Sequence, residues 1–422
     1  MKIAIIGGGI GGMTLALSLH DAGIRDVDIY ESDARITELG VGINVLPHAV
    51  RELTELGLHE ALAATAIPTA EIVYYSSHGQ RIWGEPRGLA AGYKWPQFSV
   101  HRGELLMILY RAVIERLGED RVHLGHHLAQ FGEAHGYAWA EFVDRADGSP
   151  VESIGADVLV GCDGVHSVVR QTLYPNEGPP KWNGITMWRG VTRGKPFLSG
   201  RTMIMAGHFS RRVVAYPISK RREDRGEALI NWVAELKVSD DRPMPRQDWQ
   251  HKAAVEDAVR PFENFKFDFL DVPAMIRGAE AVYQYPMVDR DPLPTWHHGR
   301  ITLLGDAAHP MYPVGSNGAS QAILDARVLA RELATCSSID EALTAYDAER
   351  RPATAAVVAA NRKVGPEKCM QVVEERAPDG FTNLEDIIST AELEEISRAY
   401  KLTAGFDPAT LNARPSFSVR EK

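Results

Sequence analysis

Residues 2–12 read Lys2-Ile-Ala-Ile-Ile-Gly7-Gly8-Gly9-Ile10-Gly11-Gly12, and Met13-Thr-Leu-Ala-Leu-Ser-Leu-His-Asp-Ala-Gly23 follows with small and apolar side chains at helical spacing. This pattern predicts a buried strand over 2–6, a tight turn, and a helix over 10–22 that stops at Gly23. Residues 27–30 (Val-Asp-Ile-Tyr) supply a second strand. The chain therefore opens as a βαβ unit, which requires a parallel sheet with helices on its faces. The turn satisfies Gly-x-Gly-x-x-Gly, with Glu31 about 20 residues beyond it, the arrangement that holds the ADP half of a dinucleotide. Gly7 permits the turn, Gly9 lets the main chain approach a pyrophosphate, and Gly12 lets helix and strand pack closely. The helix opening at Ile10 offers N–H groups and partial positive charge. Glu31 can accept both ribose hydroxyls. NAD and FAD share this half, so the turn alone leaves the cofactor open.

The chain has 422 residues, room for two or three domain-sized units, with 46 basic residues against 56 acidic ones. No Lys/Arg block tracks a phosphate backbone, which argues against nucleic acid as a partner. Cys162, Cys336 and Cys369 lack the paired spacings of zinc or dithiol sites, so no metal is expected and the thiols suit a reducing cytoplasm. Lys2 and the apolar residues 3–19 imitate a secretory leader, but the glycines weaken a continuous helix and no small-residue cleavage site follows. No apolar run elsewhere is long enough for a membrane span.

Helical patterns recur at 47–56, 103–117, 315–334 and 338–362, and one more helix near 390–401 precedes a polar, mobile tail. Strand-rich stretches occupy 71–99 and 183–290, including 185–191, 201–206, 212–218 and 228–235. The expected fold is α/β: a discontinuous Rossmann-like FAD-binding domain (1–70, 100–182 and 291–365), an inserted, mostly antiparallel β-sheet substrate domain (71–99 and 183–290), and a C-terminal helix and tail (366–422).

Two further strand-and-acidic-turn motifs choose FAD. Residues 157–170 run Asp-Val-Leu-Val-Gly-Cys-Asp163-Gly164-Val-His-Ser167-Val-Val-Arg170. Residues 300–304 form a strand that leads into Gly305-Asp306-Ala-Ala-His309-Pro, then Pro313-Val-Gly315-Ser-Asn-Gly318-Ala319 and a helix. An NAD enzyme has no use for these extra turns, whereas a ribityl chain and a tricyclic head do. Asp306 can accept from ribityl hydroxyls, and N–H groups near Gly315, Gly318 and Ala319 can face the flavin pyrimidine, where reduction leaves negative charge.

The three motifs, in this order, resemble the fingerprints of the class A, single-component aromatic hydroxylases of the salicylate and para-hydroxybenzoate type. Gly40-Val-Gly-Ile-Asn44, His101-Arg-Gly-Glu104, Met187-Trp-Arg-Gly190 and Tyr285-Pro-Met-Val-Asp-Arg-Asp-Pro-Leu-Pro294 look like the phenazine hydroxylases within that family, over roughly residues 1–365. The resemblance implies that Arg102 contacts the cofactor, that Asp306 binds the ribityl chain, that Gly42 and Ile43 lie beside the isoalloxazine, and that the main chain of Leu128 meets the adenine; Asp163 belongs to the second fingerprint. It also implies that NADH, or NADPH, binds transiently and reduces FAD, that oxygen adds at flavin C4a, and that a nucleophilic ring carbon takes the distal peroxide oxygen.

Such chemistry needs a pocket that excludes water, expected in the β-rich region. There Tyr216 matches a substrate-contacting tyrosine of related hydroxylases, and Arg189 suits a substrate carboxylate. Each has a competing role in the sheet: Tyr216 as core, Arg189 as a tie to a neighbouring loop. His309 is read as fixing its turn, and no residue is assigned as a catalytic acid or base. The expected substrate is a small aromatic or heteroaromatic ring, carboxylated and phenazine-like in the narrower resemblance, with oxygen as co-substrate and a monomer or homodimer as the working form. An FAD oxidase or reductase that never oxygenates is the alternative enzyme class, and an FAD-holding sensor the alternative outside catalysis. A halogenase lacks support because Trp-x-Trp-x-Ile-Pro is missing, and a serine hydrolase because Gly-x-Ser-x-Gly is.

Overall fold

Four apolar residues in succession bury the strand Lys2–Ile6 on both faces, as a strand with helices above and below it must be. In the computed structural model, which describes residues 1–37, 40–238, 244 and 251–419, this strand lies inside a six-stranded sheet. The order is His297–His298, Ile301–Leu303, Val158–Gly161, Lys2–Ile6, Asp26–Glu31 and Val122–Leu124. All pairs are parallel except the edge pair His297–His298 with Ile301–Leu303. Chain order reverses across Lys2–Ile6, which makes its carboxyl end a topological switch point, where α/β sheets bind ligands. The helices Ile10–Asp21 and Gly318–Thr335 pack on each other over this end.

The β-rich region forms a seven-stranded sheet in the order Ala279–Asp289, Lys181–Gly194, Ala228–Lys237, Arg211–Pro217, Thr202–His208, Glu71–Tyr75 and Arg81–Pro86. It is antiparallel except where Thr202–His208 runs beside Glu71–Tyr75. Alternation divides its faces: Ile72, Tyr74, Met203 and Met205 join one buried cluster with Val314 and Met370, while Val73, Ile204 and Trp232 join another with Phe262 and Ile276. The strand Gly42–Val45 pairs with Phe98–His101, which also pairs with Ile67–Pro68.

Two features depart from the sequence expectation. The segment between 127 and 156 is a three-stranded antiparallel sheet, His127–Ala134, Tyr137–Val143 and Pro150–Ala156; its outer strands are mostly exposed and polar, while the central one alternates and buries Ala138, Ala140 and Phe142. Among the described residues the C-terminal segment holds three α-helices, Lys368–Arg376, Thr390–Thr403 and Pro408–Ala413, and the stretch after them is docked. Leu411 is fully buried, Arg51 donates to the carbonyls of Leu411 (3.2 Å) and Arg414 (2.8 Å), and Arg414 pairs with the buried Glu52. The mobility expected of a polar tail fails because its charges have buried partners.

Candidate functional site

The first, second and third motifs leave the carboxyl ends of three adjacent parallel strands, so the sheet delivers them to one place. Gly7 has φ +109°, and a Cβ there would lie 2.5 Å from the Cys162 carbonyl oxygen beside Asp163. A Cβ at Gly12 would collide with the Gly7 carbonyl oxygen, and one at Gly11 would come within 2.8 Å of Leu304. At Gly9 nothing stands within 4 Å, so this face of the turn is open. The helix Ile10–Asp21 follows with no side-chain cap, which leaves its first N–H groups for another acceptor. Glu31 is turned toward the same loop, accepting from Gly8 N at 2.7 Å and Asp33 N at 2.9 Å.

Asp163 accepts from Ser167 Oγ at 2.5 Å and Val169 N at 3.2 Å, so it braces the start of the helix Val168–Leu173. Burial outweighs these bonds and holds its pKa above the ordinary carboxylate value. That helix carries Arg170, whose guanidinium donates to the carbonyls of Ala307 (3.1 Å) and Ala308 (2.7 Å). The second motif thereby holds the turn of the third. Asp306, in that turn, is solvent-accessible, yet the protein around it raises its pKa by desolvation against the opposing pull of His309 and Arg102. His309 bonds Asp325 at 2.5 Å, and Asp325 also accepts from Arg350 at 2.7 Å and Gly305 N at 3.2 Å. Burial pushes Asp325 upward, but His309 and Arg350 outweigh it and its pKa lies below the ordinary value.

Gly315 and Ser316 adopt φ of +66° and +58°, a double left-handed turn that aims the helix beginning at Gly318 and Ala319. Asn317 offers that helix no side-chain cap, and a Cβ at Gly318 would sit 4.0 Å from Asp306 Oδ1. Gly42 is clamped from above: its N–H donates to Asn231 Oδ1 at 2.6 Å, and its carbonyl accepts from Arg189 Nη2 at 2.9 Å and Tyr216 OH at 3.1 Å. Burial pushes the Tyr216 hydroxyl up to about 12, so it stays a donor. Ile43 pairs with Val100 in the same small sheet. Arg102 N donates to Val41 O at 2.9 Å, and its side chain packs beside Gly40. Leu128 is buried opposite Phe142, two residues past His126, whose N–H donates to Glu31 O at 2.8 Å.

Beside the Gly315 turn opens a narrow cleft that is continuous with solvent. Its walls include Ile72, Met203 and Met205 from the seven-stranded sheet and Phe406 from the C-terminal segment. Neither Tyr216 nor Arg189 lines it. Sequence reasoning missed Asn231, Arg170 as the tie between motifs, and Tyr400, whose hydroxyl lies 3.0 Å from Asn317 Nδ2, 3.1 Å from Val314 O and 2.8 Å from Asn361 Oδ1. Asn231 had a signal: it is a lone amide inside the apolar stretch Leu229-Ile-Asn-Trp-Val233.

An open glycine turn, two uncapped helix N-termini and an accessible carboxylate between them fit a dinucleotide that carries a second, ring-bearing half. The FAD binding domain family model matches residues 1–361. The chain belongs to this family. The enzyme is 48% identical over 361 residues to a phenazine 1,6-dicarboxylic acid hydroxylase of Lysobacter antibioticus, covering 85% of this chain and 89% of that one. It is 29% identical over 384 residues to a salicylate hydroxylase of Pseudomonas putida, covering 83% and 82%. Its fold matches HpxO of Klebsiella pneumoniae complexed with FAD and uric acid, with a TM-score of 0.72, 22% identity, and 97% and 96% of the two chains covered. It is an FAD-dependent aromatic monooxygenase with NAD(P)H as reductant, and nothing supports an oxidase or reductase that never oxygenates. Bound FAD supplies the two-electron redox step that activates oxygen; the residues above supply its orientation. Among the described residues no helix is long and apolar enough to cross a membrane.

Proposed function

We propose that this monooxygenase hydroxylates a planar fused-ring aromatic of the carboxylated phenazine type, drawing electrons from NADH in a reducing cytoplasm. The carrying observation is the likeness, over most of both chains, to a protein named as a phenazine dicarboxylic acid hydroxylase. The cleft suits the reading: Ile72, Met203, Met205 and Phe406 offer apolar walls for a flat ring and keep water away from the reacting atoms. In this reading Gly7, Gly9, Ile10 and Gly12 hold the pyrophosphate and Glu31 the adenosine ribose. The Leu128 main chain meets the adenine, Arg102 and Asp306 hold the ribityl side, and Gly315, Gly318 and Ala319 aim N–H groups at the pyrimidine. Asp163 supports the site through Arg170. Gly42 and Ile43 cover the ring, and Asn231, Arg189 and Tyr216 position that cover.

The test is NADH oxidation by the holoenzyme with and without phenazine-1-carboxylate, under oxygen-18 gas. The expected result is substrate-stimulated oxidation and a product carrying one labelled oxygen, whose mass also reports whether the carboxyl group leaves. Stimulated oxidation that yields only hydrogen peroxide with every carboxylated ring overturns the proposal.

A further inference from the structure

The cleft carries a buried charge cluster on one wall. Glu85 accepts from Ser397 Oγ at 2.7 Å and Lys401 Nζ at 2.6 Å, both on the C-terminal helix Thr390–Thr403, and pairs with Arg87 Nη2 at 2.9 Å. Burial pushes the Glu85 carboxyl upward, but Arg87 and Lys401 outweigh it and hold the group below its ordinary value, in the ionised form. Among the residues that line the cleft two cations thus face one anion, while the buried Glu367 behind Tyr74 is paired with Arg212. The Arg87 side chain is only 10% exposed, and its Nε has no hydrogen-bond partner. The hydroxyl of its neighbour Tyr74, a residue 1% exposed, stands close enough to couple to Arg87 and makes no other hydrogen bond. Both residues line the cleft. A buried charged donor left unpaired, as Arg87 Nε is, costs stability, and a ligand that supplies an anionic acceptor recovers it. Among the charged residues that line the cleft, Glu85, Arg87 and Lys401 are the full set, so the complement they call for is a single anionic group on an otherwise apolar molecule.

We propose that Arg87 and Tyr74 form a carboxylate receptor in the cleft, with Glu85 and Lys401 holding Arg87 in place, so that the enzyme selects a planar aromatic ring bearing a carboxylate at that end. This rests on reading the cleft as the substrate site. Arg87 gives a charged N–H, Tyr74 gives a neutral O–H, and the ring lies along Ile72, Met203 and Met205. Lys401 comes from a helix beyond residue 361, where the family match ends; the C-terminal segment therefore helps build the selectivity of a site whose cofactor turns all lie before it.

The experiment measures dissociation constants on the holoenzyme, by perturbation of the flavin absorption spectrum, for two pairs of probes: phenazine-1-carboxylate against phenazine, and 2-naphthoate against naphthalene. In each pair wild type is expected to prefer the carboxylate. Arg87→Met should weaken the carboxylates about 10- to 100-fold, the range of one lost charge-assisted hydrogen bond, and leave the parent rings unchanged. Tyr74→Phe, which keeps the ring's shape, should weaken the carboxylates about 5-fold and spare the parents. Should Arg87→Met yield no flavin-loaded protein, Tyr74→Phe decides with the same readout. Equal losses for acid and parent, no loss, or no wild-type preference in either pair overturns the receptor. Preference for naphthoate, lost in Tyr74→Phe, with no turnover of any phenazine overturns the proposed substrate and upholds the receptor.

Discussion

The floor formed by the three turns and the wall that faces it are built by different means. The floor is main chain: Gly7 and Gly12 put backbone where a side chain would collide, and the helix starts at Ile10 and Gly318 lack side-chain caps. The wall is side chain: Asn231, Arg189 and Tyr216 reach Gly42 from three different strands, and Glu85, Arg87 and Lys401 meet across the sheet and the C-terminal helix. A floor read by backbone tolerates almost no substitution. A wall read by side chains can change its ligand as its side chains change, and the relatives of this chain include both salicylate and phenazine hydroxylases.

Gly12→Ala offers the harshest trial of this contrast. Its Cβ would strike the Gly7 carbonyl, a backbone atom that cannot swing aside, so a loss of about 3 kcal/mol or more and a purified protein without flavin absorbance are expected. Gly9→Ala is the matched control, because open space surrounds it: the apoprotein should melt like wild type while FAD affinity falls. Unchanged FAD affinity in that variant would break the idea of a floor read by backbone.

Asp325→Asn comes next. It leaves His309 and Arg350 buried without their countercharge, at a cost of about 3 kcal/mol in chemical denaturation. Because the folded-state pKa of Asp325 is depressed, the stability it lends is complete above its unfolded value and is lost as pH falls through the folded one. Melting temperature followed from pH 6 downward should therefore fall more steeply in wild type than in the variant once the pH passes below the ordinary carboxylate range. Parallel curves would assign that acid sensitivity elsewhere.

On the wall the effects should be smaller and should show in coupling rather than folding. Asn231→Ala removes the acceptor for the Gly42 N–H, with an expected loss of about 1–2 kcal/mol and less product formed per NADH consumed. Tyr216→Phe should do least, under about 1 kcal/mol, since Arg189 still donates to the Gly42 carbonyl. A slight fall in coupling is expected there, and unchanged coupling would remove Tyr216 from the positioning set.

Much of the floor was legible because each of its parts is local. A strand, a glycine or acidic turn and a helix start are contiguous in sequence, and parallel strands bring their carboxyl ends to one edge without further instruction. Period-two alternation also announced the second sheet, but it tells only which face a residue takes, not what it meets there. Tyr216 and Arg189 therefore read equally well as substrate contacts and as sheet residues, and the structure has them both donating to Gly42. Arg170 stood in the second motif without its partners, since it reaches Ala307 and Ala308 across 137 and 138 positions of chain. The C-terminal segment was the hardest to read: its polar composition suggested solvent, and its buried docking depends on Glu52, Glu85 and Gly315, all far away in sequence.

By itself, then, the amino-acid sequence determined a parallel α/β sheet, the three turns at its carboxyl edge and the class of cofactor they suit, because those features follow from short-range backbone geometry that neighbouring residues dictate. Only the tertiary structure decided which side chains cover Gly42, which donors on the cleft wall are left without partners, and that the last helices close the cleft. Those outcomes depend on contacts between residues hundreds of positions apart, and no local pattern encodes the distance between them.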